Sequence, residues 1–368
     1  GVIAPWNYPL VLAVSDSLPA VLAGNAVVVK PDIQTTHTAL AALELLVEAG
    51  LPAGVFQVVP GDGPVAGAGV VDRADFVSFT GSTETGRLVA ERAGGRLIGC
   101  SLELGGKNPM IVREDADLLR AVDGAIRGSF ANAGQLCIAS ERIYVHESVF
   151  ETFLRAFLAR AQSLQLGAGF DYETDMGSLT CGHQLRKVAD HVRDAVEKGA
   201  VVRTGGKARP DIGPLFFEPT VLTGVTSDMT IFAEETFGPA VSVYPFSTDD
   251  EAVRLANDSR YGLNASIWST DVRFAETMAR RIEAGSVNIN EAYSAAWGSV
   301  DAPMGGLKDS GTGRRHGAEG LLKFTESQTI AVQTGAALDL SSAWLKKKGA
   351  RRTVLEALKR YRPGSSRR

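Results

Sequence analysis

One cysteine of this chain lies in a context that suits a nucleophile. Cys137 ends the run Asn-Ala-Gly-Gln-Leu-Cys, in which small residues and a polar glutamine precede the sulfur. A thiolate at this point could attack an electrophilic carbon. The run opens or follows a helical turn, where N–H groups and the helix dipole favour a thiolate over a thiol. A lone cysteine is also a common small apolar core residue, and this motif alone leaves both interpretations open.

Two polar side chains could assist such a nucleophile. Glu103 sits between two leucines in the apolar run Leu97–Leu104, so its carboxyl lies either on a solvated face or in a desolvated site. Desolvation would raise the pKa of this carboxyl and make it a usable base near neutral pH. Asn7 stands between Pro5 and Pro9, where its amide either donates to an oxyanion or caps the helix that follows.

Two loops could hold a nucleotide. Residues 79–86, which include Gly81 and Ser82, follow a predicted strand and open a helix, so their N–H groups suit a pyrophosphate. They match neither the Gly-x-Gly-x-x-Gly spacing nor a P-loop, and an ordinary turn is the alternative. Glu235 and Phe237 in the run Glu-Glu-Thr-Phe-Gly-Pro could hold a sugar hydroxyl and pack a ring on a cofactor. A solvated loop is the alternative there.

The elements that must position these residues alternate between short β-branched runs and helical patterns. This alternation predicts an α/β fold with βαβ units and parallel sheets covered on both faces. The predicted organisation is a doubly wound parallel-sheet dinucleotide-binding domain over residues 1–105, a second α/β catalytic domain over 106–305, a return segment over 306–333 and a basic tail over 334–368. One helix is predicted over 10–22. A lone strand predicted over 324–333 needs a sheet to join, in this subunit or in a neighbour.

Composition and charge exclude several classes of protein. Residues 346–368 hold ten Lys or Arg and one acidic residue, whereas the rest has 28 basic and 41 acidic residues, a net charge of −13. This acidic body argues against nucleic acid as a partner. No uninterrupted apolar run reaches the ~20 residues that span a bilayer, and no membrane partner is expected. Three widely spaced cysteines form neither a disulfide framework nor a zinc site and fit a reducing, cytoplasmic compartment.

Taken in order, these motifs resemble the aldehyde dehydrogenase superfamily over residues 1–333. Glu103 and Cys137 stand 34 residues apart, as the pattern of that family expects. The stretch from Gln135 to Tyr144 is most similar to succinate-semialdehyde dehydrogenase-like members. Family chains begin much earlier, which implies that the N-terminal part of the first domain is missing. Further matching motifs are Lys30-Pro31, Tyr261-Gly-Leu, Asn288-Ile-Asn and Gly305-Gly-Leu-Lys-Asp-Ser-Gly311.

The resemblance implies oxidation of an aldehyde to a carboxylic acid. It gives Cys137 the role of nucleophile, and it gives the Asn7 amide and the Cys137 N–H the role of stabilising the oxyanion of a thiohemiacetal. It gives Glu103 the role of activating the water that hydrolyses the resulting thioester. It also implies a homodimer or homotetramer, joined through the strand over 324–333.

The resemblance implies NADP or NAD as cofactor and no metal. The cofactor-binding residues it implies are Trp6, Lys30, Gly81, Ser82, Glu235 and Phe237. Many members carry, three residues after the lysine, a glutamate that binds the adenosine ribose; this chain has Ile33 there. The change favours NADP slightly, although Asp32 could still serve the ribose.

A second departure concerns the substrate. Well-known succinate-semialdehyde dehydrogenases carry, six residues before the nucleophile, an arginine that grips the substrate carboxylate; this chain has Ala131 there. Arg314 or Arg315 could substitute, and otherwise a neutral or aromatic aldehyde is an equal expectation. The alternative functions are an acylating dehydrogenase, which the presence of Glu103 disfavours, and a non-catalytic fragment with a structural or subunit-partner role.

Overall fold

The computed structural model describes residues 1–169, 172–334, 349, 352, 353, 355, 356 and 359. The chain divides into two units, Gly1–Thr325 and Glu326–Arg368. The basic tail predicted over 334–368 lies largely outside the described residues. In the second unit, an exposed ion pair joins the Arg352 Nε and Glu356 Oε1 atoms at 3.0 Å, one helical turn apart.

The first unit contains the following elements. Its strands are β1 (Val2–Ile3), β2 (Val27–Lys30), β3 (Phe56–Val58), β4 (Phe76–Thr80), β5 (Gly99–Glu103), β6 (Asn108–Val112), β7 (Ser140–His146), β8 (Val201–Thr204), β9 (Thr220–Thr223), β10 (Ala240–Phe246), β11 (Tyr261–Gly262), β12 (Asn264–Trp268), β13 (Ser286–Ile289), β14 (Leu307–Lys308) and β15 (Gly311–Thr312). Its helices are α1 (Pro9–Val14), α2 (Ser17–Leu22), α3 (Thr36–Glu48), α4 (Ala68–Arg73), α5 (Thr83–Gly95), α6 (Leu118–Phe130), α7 (Phe150–Gln162), α8 (Gly182–Glu197), α9 (Thr230–Ala233), α10 (Asp249–Asn257), α11 (Val272–Ala279), α12 (Ser294–Gly298) and α13 (Gly317–Leu322).

Two mainly parallel sheets organise these elements, as the alternating pattern predicts. The first has the strand order β15-β5-β4-β1-β2-β3, in which β15 is antiparallel to β5. The second has the order β13-β12-β6-β7-β10-β9-β8, in which β8 is antiparallel to β9. Along the chain, only four residues separate β5 of the first sheet from β6 of the second sheet. We therefore retain a domain boundary near residue 105 as a proposal.

The buried strands carry the apolar residues that hold each sheet. Val2, Val29 and Val77 in the first sheet, and Ile111 and Ile143 in the second, are at most 3% exposed. Their β-branched side chains fit a pleated surface that is covered by helices on both faces. The rigid sheets that result hold the ends of their strands, and the turns that follow, in fixed positions.

The helix predicted over residues 10–22 is broken in two. Helix α1 ends at Val14, and α2 begins at Ser17. Pro19 explains the break, because its ring would clash with the carbonyl of Ser15 in a continuous helix and it has no N–H to donate to that carbonyl. The break leaves Asp16 buried between the two helices, 3% exposed.

The strand predicted over 324–333 is absent from the structure, which assigns no strand to these described residues. A strand exists only through hydrogen bonds to a neighbour, and β-branched composition alone does not supply one. The return segment instead adds β15 to the edge of the first sheet, where Gly311 faces Glu103.

Candidate active site

Eight of the nine predicted site residues line one cavity of about 240 Å³. Five of them meet because β1, β4 and β5 are parallel, so that the carboxyl ends of these strands lie along one edge of the first sheet, and the other three come from the connections before β7 and β10 of the second sheet. The eight are Trp6, Asn7, Gly81, Ser82, Glu103, Cys137, Glu235 and Phe237. A larger, mostly apolar cavity of about 500 Å³ beside β1 and β2 contains none of them.

A strained turn carries Cys137 into the cavity. Between the end of α6 and the start of β7, Asn132, Ala133 and Gly134 have φ angles of +51°, +54° and +70°. A Cβ atom on Gly134 would lie 2.2 Å from the Gly238 carbonyl oxygen, so only glycine fits there. Left-handed backbone at two non-glycine residues is costly and often marks a functional site.

The surroundings of Cys137 favour the thiol. Burial, together with the carboxyls of Glu103 and Glu235, raises the pKa of Cys137 to about 12. The predicted preference for the thiolate is wrong for the free protein, because burial and the two carboxyls outweigh the charge of Arg315 and the backbone hydrogen bond, which lower the pKa. The neutral thiol is therefore the form of Cys137 in the free protein near neutral pH.

Glu103 is buried, in agreement with one of the two interpretations of its sequence context. It ends β5 with 4% of its surface exposed, and its Oε1 atom has no hydrogen-bond partner among the described residues. Burial raises the pKa of Glu103 to about 7. A buried carboxyl without a partner, facing a cavity, is available to a water or a substrate.

Asn7 does not cap the helix that follows it. Helix α1 begins at Pro9, and its N-cap residue Tyr8 makes no side-chain cap hydrogen bond. The Asn7 Nδ2 atom instead donates to the Gln135 carbonyl oxygen at 3.1 Å, and Asn132 Nδ2 donates to the Asn7 carbonyl oxygen at 3.1 Å. Because both partners belong to the turn before Cys137, the amide is held beside the nucleophile, with a second N–H left to donate.

Lys30 lies at the same sheet edge but does not line the cavity. Its side chain is 6% exposed, and its ammonium group has no hydrogen-bond or ion-pair partner among the described residues. A sugar hydroxyl or a phosphate would satisfy it, which fits the cofactor role implied for Lys30.

The turn after β4 is built as a helix start. Ser82 is the N-cap of α5, and its hydroxyl accepts a hydrogen bond from the Thr85 N–H at 3.2 Å. The Gly81 N–H donates to the Glu103 carbonyl oxygen at 3.1 Å and is not free for a pyrophosphate. A ligand there would instead meet the first turn of the 13-residue helix α5, whose orphan N–H groups and positive dipole attract anions.

The Glu235–Phe237 loop closes the cavity from the second sheet. Glu235 Oε1 accepts the Gly106 N–H at 2.8 Å, and burial raises the pKa of Glu235 to about 7. A Cβ on Gly105 would lie 2.6 Å from Glu235 Oε2, so glycine permits this approach. The Phe237 ring meets the Trp6 ring edge-on at a centroid distance of 5.5 Å. The two aromatic side chains thus form one wall of the cavity.

Known proteins share this sequence and fold. Residues 1–330 match the aldehyde dehydrogenase family. A Mycobacterium tuberculosis protein provisionally named succinate-semialdehyde dehydrogenase (NADP+) 2 is 57% identical over 90% of this chain and 64% of its own length. Betaine aldehyde dehydrogenase of Bacillus subtilis is 42% identical over 91% of this chain and 69% of its own. The structure of betaine aldehyde dehydrogenase from Staphylococcus aureus in complex with NAD+ matches with TM-score 0.88 and 39% identity, covering 92% of this chain and 68% of that one.

The chain belongs to the aldehyde dehydrogenase family. The family assignment confirms the resemblance that the ordered motifs carry, and the structural match confirms the predicted α/β fold. The chain spans about 64% of the length of the mycobacterial relatives that it matches.

Lys107 and Glu141, which lie in two of the matching motifs, form a buried ion pair that the sequence alone did not predict. Lys107 Nζ and Glu141 Oε2 lie 2.5 Å apart, with side chains 1% and 5% exposed. Glu141 also accepts the N–H groups of Thr236 and Phe237 at 2.9 Å. Burial alone would raise the pKa of Glu141, but Lys107 and these N–H groups lower it, so the carboxylate stays charged. The pair holds the loop that carries Glu235.

We expect Glu141→Gln to lower the free energy of unfolding by about 3–5 kcal/mol, because Lys107 would be left buried without a counter-ion. The amide can still accept the loop N–H groups, so lost charge is the main change. Asp190→Asn is the matched control: it breaks an exposed pair with Arg193 and should cost under about 1 kcal/mol. Urea denaturation compares the two variants. Equal losses would show that burial of the Lys107–Glu141 pair contributes nothing.

Helix α8 contributes three lining residues that sequence reasoning missed, His183, Gln184 and Lys187. Gln184 Nε2 donates to the carbonyl oxygens of Thr236 and Phe237 at 3.0 and 2.6 Å. The amphipathic pattern predicts this helix but begins it at residue 185. No local signal shows that its first turn faces the cavity.

The arginines that could have replaced a substrate-binding arginine are engaged elsewhere. Arg315 is 8% exposed and pairs with Asp16. Arg314 Nη1 donates to the Gly306 and Gly313 carbonyl oxygens at 3.2 and 2.7 Å. Neither lines the cavity that contains Cys137. The suggestion that one of them binds a substrate carboxylate therefore finds no support.

Two further features are absent from the described part of the chain. There, no group of three or more His, Cys, Asp or Glu side chains is arranged to hold a metal ion. Among the helices of the same residues, none combines the length and the apolar character needed to cross a membrane.

Proposed function

We propose that this protein oxidises an aldehyde to the carboxylic acid with NADP or NAD, through a thioester on Cys137. One observation carries the proposal: a thiol, a desolvated carboxyl and an amide line the same cavity as the residues implied to bind the cofactor. A dinucleotide fits the edge of the sheet, where Lys30 lacks a partner and α5 presents its N-terminus. The nicotinamide ring, when bound, supplies the acceptor for a hydride.

The first half of the reaction forms a bond between Cys137 and the substrate. As the sulfur attacks the aldehyde carbon, the thiol proton leaves; the Glu235 carboxyl, with a pKa raised to about 7, is the acceptor in the cavity, which leaves Glu103 for the second half of the reaction. The aldehyde oxygen becomes an oxyanion, to which the second N–H of the Asn7 amide donates. Loss of hydride from the same carbon leaves an acyl group on Cys137 as a thioester.

The second half of the reaction releases the acid. The Glu103 carboxylate takes a proton from a water molecule, whose oxygen attacks the thioester carbon. The carbon–sulfur bond breaks, and the Cys137 sulfur leaves and regains a proton. Glu103 suits this step because, with a pKa of about 7, it is charged above neutral pH and basic enough to activate water. An acylating enzyme that passes the thioester to coenzyme A would not need this base.

For the substrate we propose succinate semialdehyde, in line with the provisional names of the mycobacterial relatives. Arg127 offers the cation that such a substrate needs. It lies on α6 with its side chain 57% exposed, and its Nη2 atom is 3.3 Å from Glu291 Oε2, a weak surface pair that a ligand can replace. Burial raises the pKa of the nearby Tyr293, and the charge of Arg127 opposes that rise. Tyr293 and Cys137 pack on the same apolar cluster, so Arg127 lies near a neighbour of the nucleophile.

We expect Arg127→Ala to raise KM for succinate semialdehyde about tenfold or more, because a charged hydrogen bond to the substrate carboxylate contributes about 1.5–3 kcal/mol. The KM for a neutral aldehyde of similar length should change by less than about twofold. Arg120→Ala, an exposed residue of the same helix, is the matched control. Steady-state kinetics with both aldehydes measures this split. Equal changes for the two aldehydes would remove Arg127 from substrate recognition.

The cofactor proposal includes both dinucleotides, with a slight preference for NADP. Ile33 is 57% exposed and offers no carboxylate to repel a 2′-phosphate. The Asp32 Oδ1 atom accepts the Gln34 N–H at 3.0 Å, so this carboxylate already has a local role.

Assays that combine three aldehydes with two cofactors test the proposal. Fluorescence of the reduced nicotinamide is followed after the protein is mixed with succinate semialdehyde, a neutral aliphatic aldehyde or an aromatic aldehyde, each with NAD and with NADP. The proposal expects a signal, largest with succinate semialdehyde. No signal from any pair, with a chain shown to be folded, would support the non-catalytic alternative instead.

A further inference from the structure

Three charged side chains that the mechanism does not use are buried together. The Asp16 carboxylate lies 2.7 Å from Arg315 Nη2 and 2.9 Å from Lys323 Nζ. The three side chains are only 4%, 9% and 10% exposed. Asp16 lies at the break between α1 and α2, whereas the two cations come from the return segment about 300 residues later in the chain.

These three residues, here called the charge cluster, lie against the strands that carry Glu103. Arg315 Nη2 donates to Thr80 Oγ1, and Thr80 is the β4 residue paired with Glu103 of β5. Lys323 Nζ donates to Ser101 Oγ at 3.3 Å, two residues before Glu103 on β5. The cluster thus contacts both strands beside the Glu103 carboxyl.

The cluster has one anion and two cations, so its net charge is +1. Burial alone would raise the pKa of Asp16, but Arg315 and Lys323 lower it far below its usual range, and the carboxylate is charged at any pH of interest. Burial alone would lower the pKa of Arg315, but Asp16 and Glu103 raise it, so the guanidinium group also stays charged. An uncompensated positive charge in a buried region is costly, and an ionised carboxyl nearby reduces that cost.

We propose that the charge cluster of Asp16, Arg315 and Lys323 sets the charge state of Glu103, and thereby the pH at which the Cys137 thioester is hydrolysed. The inference rests on the proposed function of Glu103 as the deacylating base. The three residues are positioning residues, which act through Glu103 and touch neither substrate nor cofactor.

The charged residues near Glu103 act on the pKa of its carboxyl in opposite directions. Burial raises the pKa of Glu103, Arg315 and Lys323 lower it, Asp16 raises it, and Arg314 adds a further lowering. Cys137 lines the same cavity as Glu103 and is neutral in the free protein near neutral pH. The two cations therefore hold the pKa of Glu103 near 7, below the value that burial would give alone. Without them the pKa of Glu103 would be higher.

Lys323 is the position to test, because its loss leaves the Asp16–Arg315 pair intact. In Lys323→Met the pKa of Glu103 should rise by about half a unit or more, since one nearby cation is gone. The pKa is read from ¹³C NMR of protein labelled at the glutamate side-chain carboxyl carbon. The Glu103 signal is identified by its absence from Glu103→Gln. Lys323→Arg, which keeps the charge, should restore the parent pKa, and Lys207→Met, an exposed lysine, should leave it unchanged.

The same variants are assayed for steady-state turnover as a function of pH. In Lys323→Met, we expect the rise in turnover to move to higher pH by as much as the pKa of Glu103 rises. In Lys323→Arg and Lys207→Met the rise should stay where it is in the parent. A Glu103 pKa equal to that of the parent in Lys323→Met would overturn the inference, whatever the activity. A shifted Glu103 pKa in a protein that forms no reduced nicotinamide would uphold the charge cluster and reject the proposed function. A shift in pKa with an unmoved turnover profile would contradict the link to hydrolysis.

Discussion

Replacing Cys137 with alanine should abolish aldehyde oxidation, with turnover at least about 10⁴-fold below that of the parent. The reason is chemical: without the sulfur no thiohemiacetal forms, and the hydride must leave a free aldehyde instead of a tetrahedral carbon. We expect the dissociation constant for the cofactor to be nearly unchanged, since the alanine variant retains Lys30 and the Trp6–Phe237 wall.

Two measurements separate this result from misfolding. Titration of protein fluorescence with NADP or NAD reports cofactor binding, and nicotinamide absorbance reports turnover. Cys181→Ala is the matched control, because Cys181 is the N-cap residue of α8 but makes no cap hydrogen bond and does not line the cavity. Turnover by the Cys137→Ala variant at the parent rate would contradict the covalent mechanism.

Replacing Glu103 with glutamine should separate the two halves of the reaction. We expect the first turnover of reduced nicotinamide to persist, while the steady-state rate falls about 10²–10⁴-fold, the usual contribution of a general base. Glutamine keeps the shape of the side chain but cannot accept a proton from water. Stopped-flow absorbance measures the burst and the steady rate in one experiment. Glu114→Gln, at an exposed site, is the control.

The pH dependence of the parent follows from the same carboxyl. Its pKa is raised from 4.5 to about 7, so below pH 7 the carboxyl is protonated and cannot act as a base, and above pH 7 it is ionised and can. Steady-state turnover limited by hydrolysis should therefore rise with pH through about 7, and Glu103→Gln should lose that rise. Equal slowing of burst and steady rate in this variant would show that Glu103 activates the Cys137 thiol instead.

The sequence predicted the features that depend on neighbours along the chain. Alternating strand and helix patterns place Asn7, Ser82 and Glu103 at the ends of strands, and parallel pairing then brings them to one edge. The turn before Cys137 was harder, because Asn132 and Ala133 adopt left-handed backbone that Ala rarely takes. That conformation is imposed by tertiary contacts, which a local pattern does not contain.

Pairings between distant residues could not be predicted. Lys107 and Glu141 are 34 residues apart, and Asp16 and Arg315 are 299 apart, so each partner taken alone resembles an ordinary surface charge. The raised pKa of the Cys137 thiol depends on distant residues as well, because the Glu103 and Glu235 carboxyls that raise it come from other parts of the chain. The break at Pro19, in contrast, was available from the sequence, since proline excludes a continuous helix through residues 15–19.

The most direct test of the central claim is mass spectrometry of the Glu103→Gln variant, quenched with acid after one burst with aldehyde and cofactor. The account predicts that one acyl group, the substrate aldehyde less its hydride, is attached to the peptide that contains Cys137, in an amount equal to the reduced nicotinamide formed. Reduced nicotinamide without an acyl group on that peptide would contradict it.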